Sequence, residues 1–244
     1  MNSGYYAACA GLEAQSRALD LVANNLANLN TSGFRAQQSL FRSFLADPSA
    51  AVEDPLNRAI NNYSVLGGSR IDLSSGNLQR TGNSLDLAIE GSGFFAVQTH
   101  AGVVYTRDGN FQISAAGRLV TRAGDLVLGE QGPISIPSGV ISISPDGTLS
   151  ADGAVVDKMR VLQFATGSEP ISIGESYYSI PKDQVRPATD SYVRQGTLES
   201  SNVNAMTAMV ELITIQRKAE MLERAMSAFQ SNLDHIAAND LPHV

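Results

Sequence analysis

SNVNAMTAMVELITIQRKAEMLERAMSAFQSNLDHIAAND, Ser201 to Asp240, sets an apolar residue at every a and d position of a heptad frame. Ala205, Ala208, Leu212, Ile215, Ala219, Leu222, Met226, Phe229, Leu233 and Ile236 fall on this seam without a break. Such a period predicts a helix that buries one stripe against another helix. Ser200, Ser201, Asn202 and Asn204 offer N-cap side chains, and Asn239, Asp240 and Pro242 stop the run. The helix is roughly 34 residues, or about 51 Å, long. Met206, Met209, Val210, Ile213 and Met221 lie outside the seam, which makes the apolar surface wider than a two-stranded coiled coil needs.

The other end of the chain repeats the pattern. A frame from Tyr5 places Tyr5, Ala8, Leu12, Gln15, Leu19, Val22, Leu26 and Leu29 at a and d, with Gln15 as the polar interruption. Asn30, Thr31, Ser32 and Gly33 then break the helix after roughly 26 residues, about 39 Å. Two readings are open. The helices pair as a hairpin within one monomer, or they pack against other copies, an arrangement that also occupies the methionine-rich flank.

Between the helices the texture changes twice. From Ala46 to about Ser75, Asp47-Pro48, Asp54-Pro55, Asn61-Asn62 and Gly67-Gly68 punctuate a segment with no lasting period. From about Gly76 to Gly196, short alternating runs such as Leu85, Leu87 and Ile89 are separated by turn pairs including Asp108-Gly109, Gly124-Asp125 and Asp146-Gly147. This spacing fits antiparallel hairpins in a sandwich or irregular barrel. The expected fold class is therefore α+β: two long terminal helices form a coiled-coil-like stalk that carries an inserted antiparallel β-rich domain. The expected parts are an N-terminal helix and motif over 1–45, a linker over 46–75, the β-rich domain over 76–196 and the C-terminal helix over 197–244, paired with the first. With both helices in one stalk, the two ends return to the same side of the β domain.

Composition narrows the function. The net charge of −7, from 17 basic and 24 acidic residues without a Lys/Arg cluster, argues against nucleic acid or an anionic membrane as partner. One cysteine, Cys9, excludes an intramolecular disulfide. The chain encodes neither a long apolar span nor the n-region, h-region and cleavage site of a secretory signal, which by itself points to the cytoplasm. Ser92 in Gly91-Ser92-Gly93 lacks nucleophile-elbow spacing, and the same glycines lack the third of a dinucleotide fingerprint. His100, His235 and His243 have no metal-ligand spacing. Asp86 with Glu90, or Asp146 with Asp152, offers a carboxylate pair for a hydrolase, although Asp-Gly carboxylates serve turns first. Tyr177 and Tyr178 suit either a sugar-binding surface or strand packing. The residues thus imply no catalytic group, cofactor, metal or small-molecule substrate.

Ala23 to Phe34, ANNLANLNTSGF, resembles the signature of the axial proteins of the bacterial flagellum, the rod and hook subunits. Ser74 to Gln98, SSGNLQRTGNSLDLAIEGSGFFAVQ, and Tyr105 to Phe111, YTRDGNF, are similar to the entry of that family's β domain. Ser201 to Met221 resembles its Ser-Asn-Val-Asn opening of the last helix. Ala46 to Leu73 and about Gly167 to Asp190 have no counterpart. Ser84 stands where proline is frequent in the family, and Arg35 where lysine is common. Chain length and the wording of Ser69 to Gln79 resemble the proximal mid-sized rod proteins more than the distal ones.

The resemblance implies a structural subunit of the basal-body rod that polymerises through its terminal helices and transmits torque from motor to hook. Its implied partners are further copies, other rod subunits and the flagellar type III export apparatus. It also implies a periplasmic location in the basal body, reached without a cleaved signal peptide. The residues expected at the assembly interface are Leu12, Leu19, Val22, Asn24, Asn25, Leu26, Asn28 and Leu29 on the first helix, and Leu212, Ile215, Leu222, Met226, Phe229 and Leu233 on the second. A distal rod or hook-type subunit is the nearest alternative. A stalked module that binds cell-wall glycan is the alternative from another class.

Overall fold

A computed structural model describes residues 3–42, 65–174 and 176–240. Among them one α-helix stands at each end, α1 at Ser3–Ala27 and α2 at Ala205–Asp240. The strands between begin with β1 Gln37–Arg42, β2 Val65–Ile71, β3 Leu78–Arg80, β4 Leu87–Glu90, β5 Phe94–Thr99 and β6 Gly102–Thr106. They continue with β7 Phe111–Ile113, β8 Leu119–Thr121, β9 Leu126–Val127, β10 Ile141–Ile143, β11 Thr148–Ala151 and β12 Ala154–Lys158. The last are β13 Val161–Phe164, β14 Ile171–Ser172, β15 Tyr177–Ser179, β16 Val185–Pro187, β17 Tyr192–Gln195 and β18 Thr197–Glu199.

The chain divides into two compact units. One holds α1, β1, most of β2 and α2; the other, the body, holds Ala27–Ala36 and Ile71–Asn204. In the body the largest sheet runs β14-β15-β6-β5-β9-β8-β7, with β13 and β16 joined to it through β5. The registered pairings around β5 are antiparallel, Phe95 facing Thr106 on β6 and Val97 facing Val127 on β9.

β5 explains why the body holds together. Its FFAV run is apolar at consecutive positions because both faces of the strand are covered. Phe95 enters a core with Leu87, Ile89, Phe111 and Leu149, and its ring meets Phe111 edge-on at 5.1 Å between centroids. Phe94 and Ala96 enter a second core with Tyr105, Tyr178 and Ile180. The carboxylates weighed for acid/base work are committed to turns and surface contacts. Asp86 accepts from the Asn83 and Asn110 amides at 3.0 and 3.3 Å, and Asp152 from the Val140 N–H at 2.8 Å. Asp146 accepts from the Thr148 hydroxyl and N–H, and these bonds hold its pKa below the usual value. Glu90 pairs with Arg194 at the surface.

The expected α+β fold with a coiled-coil-like stalk is corrected by this architecture. The chain forms a strand-rich body with a single helix at each end, and the covered line of α1 is not its leucine seam. Ala8, Gly11, Ala14, Ala18 and Val22 are buried, while Leu12, Leu19 and Leu26 are only half-buried. Alanine and glycine fill far less of a facing hole than the leucines that the seam counts on. The heptad count gives Ala8 the same weight as Leu12, and that is where it misleads. Of the expected linker, Val65–Ile71 is a strand and 46–64 lies outside the described residues.

Phe95→Ala removes the ring shared by the first core, and the expected loss is about 3–5 kcal/mol of body stability. Urea unfolding followed by tyrosine fluorescence measures it; a loss below about 1 kcal/mol contradicts the role given to β5.

Candidate functional site

The family-like stop after α1 and the run into α2 meet inside the body. Gly33, with φ +66°, donates its N–H to the Glu199 carbonyl at 2.8 Å. A side chain at Gly33 would collide with the backbone of Arg107 and Asp108, so glycine is needed for both conformation and space. Two residues on, Arg35 donates from Nη2 to Glu199 Oε1 at 2.7 Å. Arg107 donates from Nη1 to Glu199 Oε2 at 3.1 Å, and also to the carbonyls of Ile89 and Gly91. Glu199 Oε1 accepts a further bond from the Gly76 N–H at 2.7 Å. Glu199 therefore ties together residues 35, 76 and 107 through its carboxylate and residue 33 through its carbonyl.

All three charged side chains are shut away from solvent, at 0–1% exposure. Two guanidiniums against one carboxylate leave an excess positive charge in a dry interior, and burial lowers the Arg107 pKa to about 10. Glu199 opposes that shift and Arg35 adds to it. Arg35 Nε and Nη1 and Arg107 Nε have no hydrogen-bond partner among the described residues. The Arg107 guanidinium lies 4.9 Å from the Phe94 ring centroid, and Phe164 stacks on the same ring at 4.2 Å. This cation–π contact offsets part of the desolvation. The Arg35 N–H donates to the Tyr178 hydroxyl at 3.1 Å, and burial pushes that phenol up to about 12.

Asn202 closes the junction from the other side. Its Oδ1 accepts from the Ala36 N–H at 2.7 Å, and its Nδ2 donates to the carbonyls of Asp72 and Ser74, both at 3.0 Å. The Asn202 N–H reaches the Phe34 carbonyl at 3.4 Å. The chain thus enters and leaves the body side by side.

The residues expected at the assembly interface have mixed surroundings. Val22 and Ile215 are buried; Leu12, Leu19, Leu26, Leu29, Leu212, Leu222 and Met226 are half-buried. Asn24 is exposed and Asn28 half-buried, with Asn28 Oδ1 accepting from the Thr31 hydroxyl at 3.1 Å where α1 ends. Asn25 is buried, and its amide exchanges two 2.8 Å bonds with the Gln37 backbone, which start β1. The side chains of Phe229 and Leu233 lie outside the described residues. On α2 the covered line is Ala208, Leu212, Ile215, Ala219 and Leu222; Met206, Met209, Val210, Ile213 and Met221 are exposed.

Sequence reading missed the Arg35–Glu199–Arg107 cluster. Arg35 registered only as a departure from lysine, and a single cation in a local stretch gives no sign that its counter-charge lies in another segment. Glu199 and Arg107 lie 92 residues apart and Glu199 and Arg35 164 apart, beyond any local pattern.

Glu199→Gln is expected to cost about 3–5 kcal/mol, because it leaves two buried guanidiniums without a counter-charge. Urea unfolding measures the loss, and a cost under 1 kcal/mol overturns the assignment. A second expectation concerns pH. A phenol whose folded pKa is raised stabilises the fold below about pH 10 and loses that contribution as pH climbs through about 12. Wild type is therefore expected to exceed Tyr178→Phe by about 1 kcal/mol at pH 8, with the difference shrinking above pH 10. Taking the difference largely removes the opposing contribution of Arg107, which both proteins share. A gap that widens with pH contradicts the burial argument.

Comparison with known proteins accounts for the pattern. Residues 6–35 match the family described as flagella basal body rod protein, residues 88–151 the flagellar hook protein FlgE/F/G D1 domain, and residues 194–239 the flagellar basal body rod FlgEFG protein C-terminal. Arg35, Arg107 and Glu199 each come from a different one of these segments. The flagellar basal-body rod protein FlgF of Caulobacter vibrioides is 34% identical over 216 residues, 86% of each chain. FlgF of Escherichia coli is 35% identical over 231 residues, 87% of this chain and 88% of that one. FlgG of Buchnera aphidicola from Acyrthosiphon pisum is 31% identical over 251 residues, 93% and 95% of the two chains. With three matched segments and relatives aligned along most of its length, the chain belongs to the flagellar basal-body rod protein family.

Proposed function

We propose that the chain is a structural subunit of the flagellar rod, proximal in position, that polymerises through its terminal helices and passes torque along the shaft from motor to hook. The proximal placement draws on the FlgF relatives, at 34 and 35% identity. The observation that carries the polymerisation is the outward face of α2, where Met206 is 80% exposed, Val210 65% and Met221 61%. Covering one such side chain contributes up to about 1.5–3 kcal/mol, enough over several of them to oppose the freedom lost on association. Isolated helices are marginal in water, so contacts between copies also order the helices themselves.

Export through the flagellar type III apparatus without a cleaved signal, and a place in the periplasmic part of the basal body, accompany this reading. No described helix is long and apolar enough to cross a membrane, and on this reading assembly contacts hold the subunit in place. The body's surface gives the glycan-binding alternative little support, because Tyr177 and Tyr178, its candidate aromatic pair, are buried at 8 and 1% exposure.

Met209→Asp combined with Ile213→Asp is expected to abolish incorporation into purified basal bodies and with it motility, in cells whose only copy is the variant. Amide exchange of the body should stay as in wild type. Normal incorporation of the double variant defeats the proposal.

A further inference from the structure

Beside the covered line of α2 runs a groove of about 830 Å³ shared with α1. Leu12, Leu19 and Ile215 line it with apolar surface, and Glu13, Glu220 and Glu223 supply carboxylates. Glu13 is paired with Arg17 at 2.5 Å and Glu220 with Arg224 at 3.6 Å, each one helical turn along. Glu223 has no cation partner among the described residues, so the groove presents one uncompensated negative charge above an apolar floor.

The exposed side of α2 has the complementary character. Met206, Val210, Ile213, Arg217 and Met221 follow one another at spacings of four, three, four and four, which puts them in one line along the helix. Arg217 has no carboxylate partner among the described residues. Val210 to Met221 spans about 16 Å, and Cys9 to Leu19 along the groove about 15 Å.

Resting on the reading of the chain as a rod subunit, we propose that the Val210–Met221 stripe of one copy seats in the α1–α2 groove of the next, with Arg217 of one copy facing Glu223 of the other. A copy cannot satisfy its own groove this way. Ile213 and the groove-lining Ile215 are two residues apart, about 200° around the same helix. The contact is therefore heterologous: each union leaves one stripe and one groove open, and addition can continue. The apolar stripe carries the affinity, and the charge pair fixes register and direction.

Two measurements on the full-length chain test this. Sedimentation velocity across a concentration series is expected to show association weakened about three- to tenfold by Arg217→Glu or Glu223→Arg alone, and restored close to wild type by the two together. Wild type, whose one thiol is Cys9, is then mixed under oxidising conditions with Cys9→Ser chains carrying Ile213→Cys or Met221→Cys. Each chain has a single thiol, so any disulfide joins two copies. One of the two variants is expected to couple to Cys9 well above a Cys9→Ser/Val155→Cys control, since Val155 lies on the body. Association that ignores both charge reversals, or coupling no stronger than the control, overturns the groove while leaving polymerisation intact. Wild type that stays monomeric throughout the series overturns the groove and the rod-subunit reading together.

Discussion

One buried carboxylate decides how this chain closes. Glu199 is buried at the end of β18, and a buried charge persists only when opposite charge and hydrogen bonds replace its hydration. Arg107 comes from the body, Arg35 from the stretch after α1, and the Gly76 N–H from the stretch after β2. None of these groups alone saturates the carboxylate. The site is complete only when the entry to the body, its centre and its exit are together, which makes closure of the junction cooperative.

The junction is also under-satisfied, since two guanidiniums share one carboxylate and three of their nitrogens lack partners among the described residues. An apolar replacement could pack as well or better, as buried ion pairs often contribute little net stability. What the charges add is selectivity of closure. Arg35 and Arg107 each take one oxygen of the carboxylate, which sets both segments against Glu199, and an apolar contact at this place would tolerate slippage of Gly33–Ala36 against Glu199–Asn202. A segment that joins a helix to a body gains more from fixed register than from extra affinity.

The parts that sequence could reveal were those written in local spacing. The line Ala208, Leu212, Ile215, Ala219 and Leu222 is the covered line of α2, and the alternation of Leu87 with Ile89 belongs to a buried strand. The stalk failed because a heptad count does not register side-chain size: α1 turns Gly11 and Ala14 inward beside Ala8 and Ala18 and leaves Leu12 and Leu19 half-covered. Asn25, expected at the assembly interface, also has a local role that spacing does not show, because its amide imitates a strand partner for Gln37 across 12 residues. Arg35, Arg107 and Glu199 were unreadable for a different reason. Isolated charged residues in a sequence are normally solvated, and only the fold shows that these three are not.

Body and helices divide the physical work. β5 is covered on both faces, so the body carries its stability within one chain. α2 carries apolar residues on opposite faces, and one copy covers only one of them. If further copies cover the other face, as proposed, stability of the helical part depends on concentration, as it does for any state favoured by association, and stability of the body does not. If torque enters through the helices, it must reach the body across covalent chain, and residues 27–36 and 199–204 are two of the connections, with Arg70–Ile71 a third. Asn202 hydrogen-bonds to Ala36, and Glu199 to Gly33 and Arg35, so a pull on either connection is shared with the other before it reaches the β-sheet. Hydrogen bonds between two connections let each carry part of a load applied to the other. On the rod-subunit reading, the buried cluster lies on the path by which load passes from these connections into the body.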